Sequence, residues 1–332
     1  MNDATRPRTV SAFSFRPFKS GLLPLLLPIL CFCLATGCAS APKVPPPQGA
    51  CVRPRHNPSV EPRPTEWLGL MVAQHTGAPG VQSQDCTGRV VRWVQSPESC
   101  IIARPALGTP EPTPVTGDSV IERRIPNGRR LIWVITHRFA DGTGYGPIAL
   151  IQPTPKHLVV EAIGHMRLGT ARVQLEYAEV GDGHLVIATG SLCPEGTEPT
   201  QAGRCQIASQ VLVHVDDRLE ARDIHDRRGH CVQPPWFEER QTTDKPLPNG
   251  WSRHFELHSS LTPTPRYLIV TEQVSVDDRN LSTPDAAPRE VRRIDAERFV
   301  HLHKGRLTSR QPPLWPKILP AHGELDHLVP QD

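Results

Sequence analysis

The chain has 332 residues, with 37 Lys and Arg against 34 Asp and Glu and a formal net charge of +3. So near a balance, and with no long basic block beyond the N-terminal segment, it lacks the electrostatic footprint of a nucleic-acid partner. Nine cysteines and 37 prolines are the more telling numbers.

Arg6, Arg8, Arg16 and Lys19, with Asp3 the only acid among them, precede an apolar run from Gly21 to Leu34 that closes on Ala35-Thr36-Gly37-Cys38. A basic start, a short apolar stretch and small residues at a cut site are the pattern of a secretory signal. The Leu34-Ala35-Thr36-Gly37-Cys38 segment resembles the lipoprotein signal of bacterial envelopes. That resemblance implies cleavage after residue 37, lipidation (palmitate included) of Cys38, and, from Ala39 behind it, an outer-membrane address facing the periplasm or the cell surface. A plain secretory signal or an uncleaved helix are the competing uses of the run, and two prolines and a length short of ~20 residues count against a spanning helix.

Residues 38–64 hold Ala41-Pro42-Lys43-Val44-Pro45-Pro46-Pro47 and no apolar periodicity. Such a segment favours extended polyproline conformations and acts as a stiff tether. Beyond it roughly 270 residues remain, enough for a large core. They divide into a small N-terminal β lobe over 65–107, a Pro/Thr-rich loop over 108–118, a main β domain over 119–310 and a Pro-rich tail over 311–332.

Setting aside Cys31, Cys33 and Cys38, six cysteines remain: Cys51, Cys86, Cys100, Cys193, Cys205 and Cys231. An even number in an exported chain points to disulfides, with fifteen pairings open to six cysteines. Cys193 with Cys205 brackets a short polar loop, Cys86 with Cys100 comes next, and Cys51 with Cys231 follows by elimination. No Cys-x-x-Cys spacing supports zinc as the rival use.

Short runs of β character, Arg89 to Val94, Leu131 to Ile135, Ala171 to Tyr177 and Gln210 to Val215, alternate with turn residues, and Arg172 to Tyr177 alternates polar with apolar. Pro126-Asn127-Gly128 and Pro248-Asn249-Gly250 are hairpin signals. The expected fold is all-β and disulfide-bonded: an antiparallel meander, a sandwich or part of a propeller built from hairpins. Leu131, Leu158, Leu185 and Leu212 recur every 27 residues, and Pro153-Thr154-Pro155 before Leu158 is matched by Pro263-Thr264-Pro265 before Leu268, which suggests repeated hairpins. Only Arg289 to Val300 offers a short helix.

On a strand, His254, Glu256 and His258 share a face while Phe255 and Leu257 point to the core. Two imidazoles and a carboxylate make three ligands for zinc with one position open, although the helical zinc-protease spacing is absent. The plainer use is the wet face of an amphipathic strand. His301-Leu302-His303 repeats the pattern with one member fewer. Cys231, preceded by His230, is expected as half a disulfide rather than a nucleophile. Phe139 to Gly146 lacks the Lys-Ser/Thr ending of a phosphate loop, and its single acid, Asp141, falls far short of a calcium site, so it is expected as a turn, as is Gly181-Asp182-Gly183. Trp236 and Trp315, beside prolines, are expected mainly as core cover.

No serine-nucleophile elbow is present. The function this sequence supports is a non-enzymatic envelope lipoprotein whose β domain binds a protein or glycan, with no cofactor. The alternative is an exported hydrolase using zinc on His254, Glu256 and His258.

Overall fold

The computed structural model describes residues 51–55, 57–74, 84–90, 110–192, 205–283 and 286–318, all within one compact unit, Val44–Asp332. Cys38, Cys100 and Cys193 lie outside them, as does most of the expected strand at Arg89 to Val94. The chain opens with β1 (Val52–Pro54), α1 (Pro64–Met71), β2 (Val72–Gln74), β3 (Gln84–Asp85) and β4 (Glu111–Pro112). Next come β5 (Val120–Arg124), β6 (Arg130–Val134), β7 (His137–Arg138), β8 (Thr143–Pro153), β9 (His157–Gly169), β10 (Ala171–Val180), β11 (Gly183–Leu192), β12 (Gln206–Val215) and β13 (Arg218–Ala221). The short strands β14 (Ile224–His225), β15 (Cys231–Gln233) and β16 (Trp236–Glu238) lead into β17 (Arg240–Pro246), β18 (Trp251–Pro263), β19 (Leu268–Asn280), β20 (Arg289–His303), β21 (Arg306–Ser309) and α2 (Trp315–Ile318).

The fold is β-rich, with mixed sheets and a Cys51–Cys86 disulfide. A twelve-stranded sheet runs β10-β11-β12-β13-β9-β8-β6-β5, with β1 added to β9, β16 to β12, and β7 and β4 beyond β8. A seven-stranded sheet runs β15-β14-β21-β20-β19-β18-β17. Most pairs are antiparallel, but β13 pairs β9 in parallel and β14 pairs β21 in parallel.

The alternation of side chains along each strand divides the first sheet's residues between cores. On one face Leu131, Trp133, Ile148, Leu150, Met166, Val186 and Leu212 meet in a single cluster, so the sheet curls around them until β10 lies against β5. On the opposite face Ile132, Val134, Ala149 and Ile163 pack under Trp67, Leu70 and Met71 of α1. Farther along that outer face Leu185, Ile187, Val211 and Val213 meet Leu268, Val270, Val300 and Leu302 of the second sheet. The part of the second sheet that extends past this contact, Phe255, Leu257, Val274 and Val276, is covered by Leu314, Trp315 and Ile318.

Several expectations change. Part of the expected tether belongs to the fold, because β1 pairs with β9 and Val160 N–H donates to the Cys51 carbonyl. The described part of the expected N-terminal lobe begins with a helix and shares a core with the main sheet. Pro64 sits in the helix's first turn, where its missing N–H costs nothing, and Glu66 accepts from the Arg63 N–H at 2.8 Å. Residues 289–300, the one expected helix, lie within β20: tertiary pairing with β19 and β21 outweighs helix propensity. The expected pairs Cys86–Cys100 and Cys51–Cys231 do not form, since Cys51 is bonded to Cys86; Cys205 and Cys231 are also half-cystines. Closing a loop of this length, 35 residues apart, contributes about 4 kcal/mol in the chain-entropy model.

The hairpin signals are well placed. Asn127 and Gly128, then Asn249 and Gly250, take positive φ between β5 and β6 and between β17 and β18. Thr154 and Thr264 make the same turn: each backbone N–H and hydroxyl donates to the carbonyl three residues on, and each hydroxyl accepts that residue's N–H. The 27-residue leucine spacing is not a structural repeat, because Leu131 and Leu212 enter one core, Leu158 a second and Leu185 a third.

Candidate functional site

The second sheet packs one face against the first sheet and α2, and its other face carries polar side chains. In β18, Phe255 and Leu257 are buried, and His254, Glu256 and His258 stand on the opposite face. Register places Asp244, Thr242 and Arg240 of β17 beside them on one side, and Asp277, Ser275 and Gln273 of β19 on the other. His258 Nε2 lies 2.9 Å from Glu256 Oε1, His254 Nε2 lies 3.7 Å from Glu256 Oε2, and His254 Nδ1 meets Asp244 Oδ1 at 2.8 Å. Arg240 Nε also binds the Glu256 carboxylate. Burial pushes the Glu256 pKa up, but the Arg240 hydrogen bond and charge, with the two histidines, hold it below the ordinary glutamate value.

The three expected zinc ligands are therefore brought together, but as a polar ladder in which Glu256 is ion-paired to Arg240. The guanidinium of Arg240 occupies the carboxylate and places a positive charge where a cation would sit. Among the described residues no group of three or more His, Cys, Asp or Glu is arranged to hold a metal ion.

The same face continues into an aromatic corner on β19 and β20. Tyr267, just before β19, meets Phe299 edge-on at 4.8 Å and His301 at 5.7 Å between ring centroids. All three rings are partly or fully exposed. His303 Nδ1 pairs at 2.8 Å with Asp182 Oδ2, in the β10–β11 turn.

The remaining motifs are structural. Cys231 is bonded in a disulfide, and the segment before it is a turn in which Asp226 Oδ1 accepts the Arg228 and His230 N–H groups. In the β7–β8 turn Gly142 has φ +81, and Asp141 accepts from Thr143 and from Arg167 Nη2 at 2.6 Å. Gly181 and Asp182 form the tight β10–β11 turn. Trp236 packs on the core inside the first sheet, and Trp315 covers the second.

Sequence reasoning missed one cluster, because its members come from separate strands with no shared motif. Beyond the apolar residues inside the curled sheet lie Tyr177 of β10, His184 of β11 and His214 of β12, joined by Arg129 before β6 and by Glu161. Glu161 is the extra residue where β9 shifts register against β8, between Val160 and Ala162. Tyr177 and His184 stack at 5.1 Å, and the Arg129 guanidinium lies 5.2 Å from the Tyr177 ring centroid.

The protonation pattern of this cluster follows from its bonds. His214 Nε2 is 2.9 Å from the Asp216 carbonyl, which only accepts, so Nε2 carries the proton. Burial is the largest effect and lowers the His214 pKa; the Asp216 carbonyl, next in size, raises it, and the smaller effects of His184 and Arg129, which lower it, and of Glu161, which raises it, leave it below the ordinary histidine value. The ring is neutral at pH 7, Nδ1 is bare, and Tyr177 Oη donates to it at 2.7 Å. Burial raises the Tyr177 pKa, so the phenol keeps its proton.

No protein-family model matches the chain, and neither a curated protein nor a solved structure is similar to it.

Proposed function

We propose that the protein is a non-enzymatic binding module of the cell envelope, held on the outer membrane by lipid on Cys38, that presents the polar face of its second sheet to a protein or glycan partner. The two sheets meeting over one core are read as a sandwich that supports this face. The observation that carries the reading is the continuity of that face. The polar groups already paired with one another (Asp244, His254, Glu256, His258 and Arg240) stand on the same face of the sheet as the ring corner of Tyr267, Phe299 and His301. Paired charges fix orientation, and accessible aromatic rings supply contact area at little entropy cost, which is what recognition needs.

The test is proximity crosslinking in intact envelopes against a signal-matched, unrelated lipoprotein, joined with a glycan array probed by the purified chain. Selective capture that a Tyr267→Ala and Phe299→Ala variant loses supports the reading. Capture no greater than the control in both assays overturns it.

A further inference from the structure

β17 is the last strand of the second sheet: it pairs with β18 on one side and with no strand among the described residues on the other. Its hydrogen bonds to β18 fall on odd-numbered residues, since Leu247 N–H donates to the Trp251 carbonyl and the Glu239 carbonyl accepts from Ser259 N–H. Residues of an antiparallel strand turn their backbone groups to one side and then the other in alternation, so the N–H and C=O of Arg240, Thr242 and Asp244 point to the open edge. All three residues are exposed. Pro246, next in that series, has no N–H and closes the run.

Such an edge is a template for another strand, and the charges along it decide which strand fits. Residues 239–245 read Glu-Arg-Gln-Thr-Thr-Asp-Lys. Laid antiparallel on a second copy with Thr242 opposite Thr242, Glu239 faces Lys245, Arg240 faces Asp244 and Gln241 faces Thr243, so every charge meets its opposite. A register displaced by two residues sets Asp244 against Glu238 in one direction and Arg240 against Pro246 in the other, with no opposite charges matched in either. An in-register parallel copy sets each charge against itself. Arg240 also holds Glu256 and Asp244 also holds His254, but their side chains remain 52% and 61% exposed and can reach across the edge. We propose that β17 pairs antiparallel with β17 of a second copy of this chain about a two-fold axis at Thr242. The edge N–H and C=O groups of Arg240, Thr242 and Asp244 then satisfy those of the other copy, and the two sheets become one. The axis sets the two polar faces side by side, but the pairing does not rest on what that face binds.

The experiment follows the full-length chain by sedimentation from about 1 μM to about 500 μM, with hydrogen exchange read at single amides. A reversible monomer–dimer equilibrium is expected, with the Arg240, Thr242 and Asp244 amides gaining protection as concentration rises. Thr242→Pro removes the central edge N–H, which β18 does not use, and is expected to weaken the dimer about tenfold or more. Glu239→Lys and Lys245→Glu each set like charges opposite one another across the edge, and each alone is expected to dimerise several-fold more weakly. Mixed in equal amounts they are expected to associate with near wild-type affinity, because the exchanged charges then meet their complements. This mixture keeps the test intact where Thr242→Pro does not fold. A chain that stays monomeric throughout overturns the proposal. So does a dimer that Thr242→Pro leaves unchanged, or a mixture no stronger than either charge variant alone. A photocrosslinker at Gln241 that captures a different protein in cells, and not a second copy, also overturns it.

Discussion

Arg298 donates to Glu272 through both Nε, at 2.9 Å, and Nη2, at 3.1 Å, and the two side chains are 2% and 4% exposed. The pair sits on the buried face of the second sheet, where Leu314 N–H also reaches Glu272 and Gln233 Oε1 accepts from Arg298. It thereby joins the sheet to the segment that covers it. Removing one partner leaves a buried charge, so Arg298→Met or Glu272→Leu alone is expected to cost about 3–5 kcal/mol in urea unfolding. The double variant is expected to recover most of that loss.

The Cys51–Cys86 bond is expected to appear as a linked peptide in non-reducing digests, with no Cys86–Cys100 or Cys51–Cys231 peptide. Cys51→Ser with Cys86→Ser is expected to lower stability by roughly 2–4 kcal/mol, read as a lower urea midpoint at unchanged slope.

His165 gives the fold a defined acid sensitivity. Its Nε2 is buried without a hydrogen-bond partner among the described residues, and burial, partly offset by Asp85 and reinforced by Arg218, lowers its pKa to about 4. The unfolded chain therefore binds the proton first. Stability from this group is complete above the ordinary histidine pKa near 6.5 and is lost as pH falls through 4. Between pH 7 and pH 4.5 the wild type is expected to lose about 2 kcal/mol more than His165→Gln, by urea unfolding at both pH values. Equal losses would show that acid acts elsewhere.

Gly164 lies where β13 runs parallel to β9, and a Cβ there would come within 1.9 Å of the Leu219 carbonyl oxygen. Backbone cannot yield as a side-chain tip does. Gly164→Ala is expected to cost near or above the upper end of roughly 1–3 kcal/mol in the unfolding midpoint. Gly117→Ala, with open space around its Cβ position, is the control.

Local chemistry was the legible part of this fold. The Asn-Gly turns are written in residues that accept positive φ, and the Thr154 and Thr264 hairpins in residues whose hydroxyls bond the neighbouring backbone. The face shared by His254, Glu256 and His258 followed from strand alternation alone. Its chemistry did not, because Arg240 reaches Glu256 from another strand. α1 is eight residues long, too short to show a helical stripe, and owes its stability to Trp67 and Met71 in a core shared with distant strands. The Tyr177 cluster was invisible for the same reason: register, not spacing, brings Tyr177, His184 and His214 together.

The Cys51–Cys86 bond closes a covalent ring around β1, α1 and β3 at the first described residue of the fold. Tension arriving along the chain from the residues before Cys51 has a shunt through sulfur to Cys86, so the helix and the first strand are spared as load-bearing links. With the bond reduced, the same pull would peel β1 from β9 and then unwind α1. The cystine thus acts as a strain relief, which makes the oxidation state of two residues a determinant of how much mechanical load the domain withstands before it begins to open.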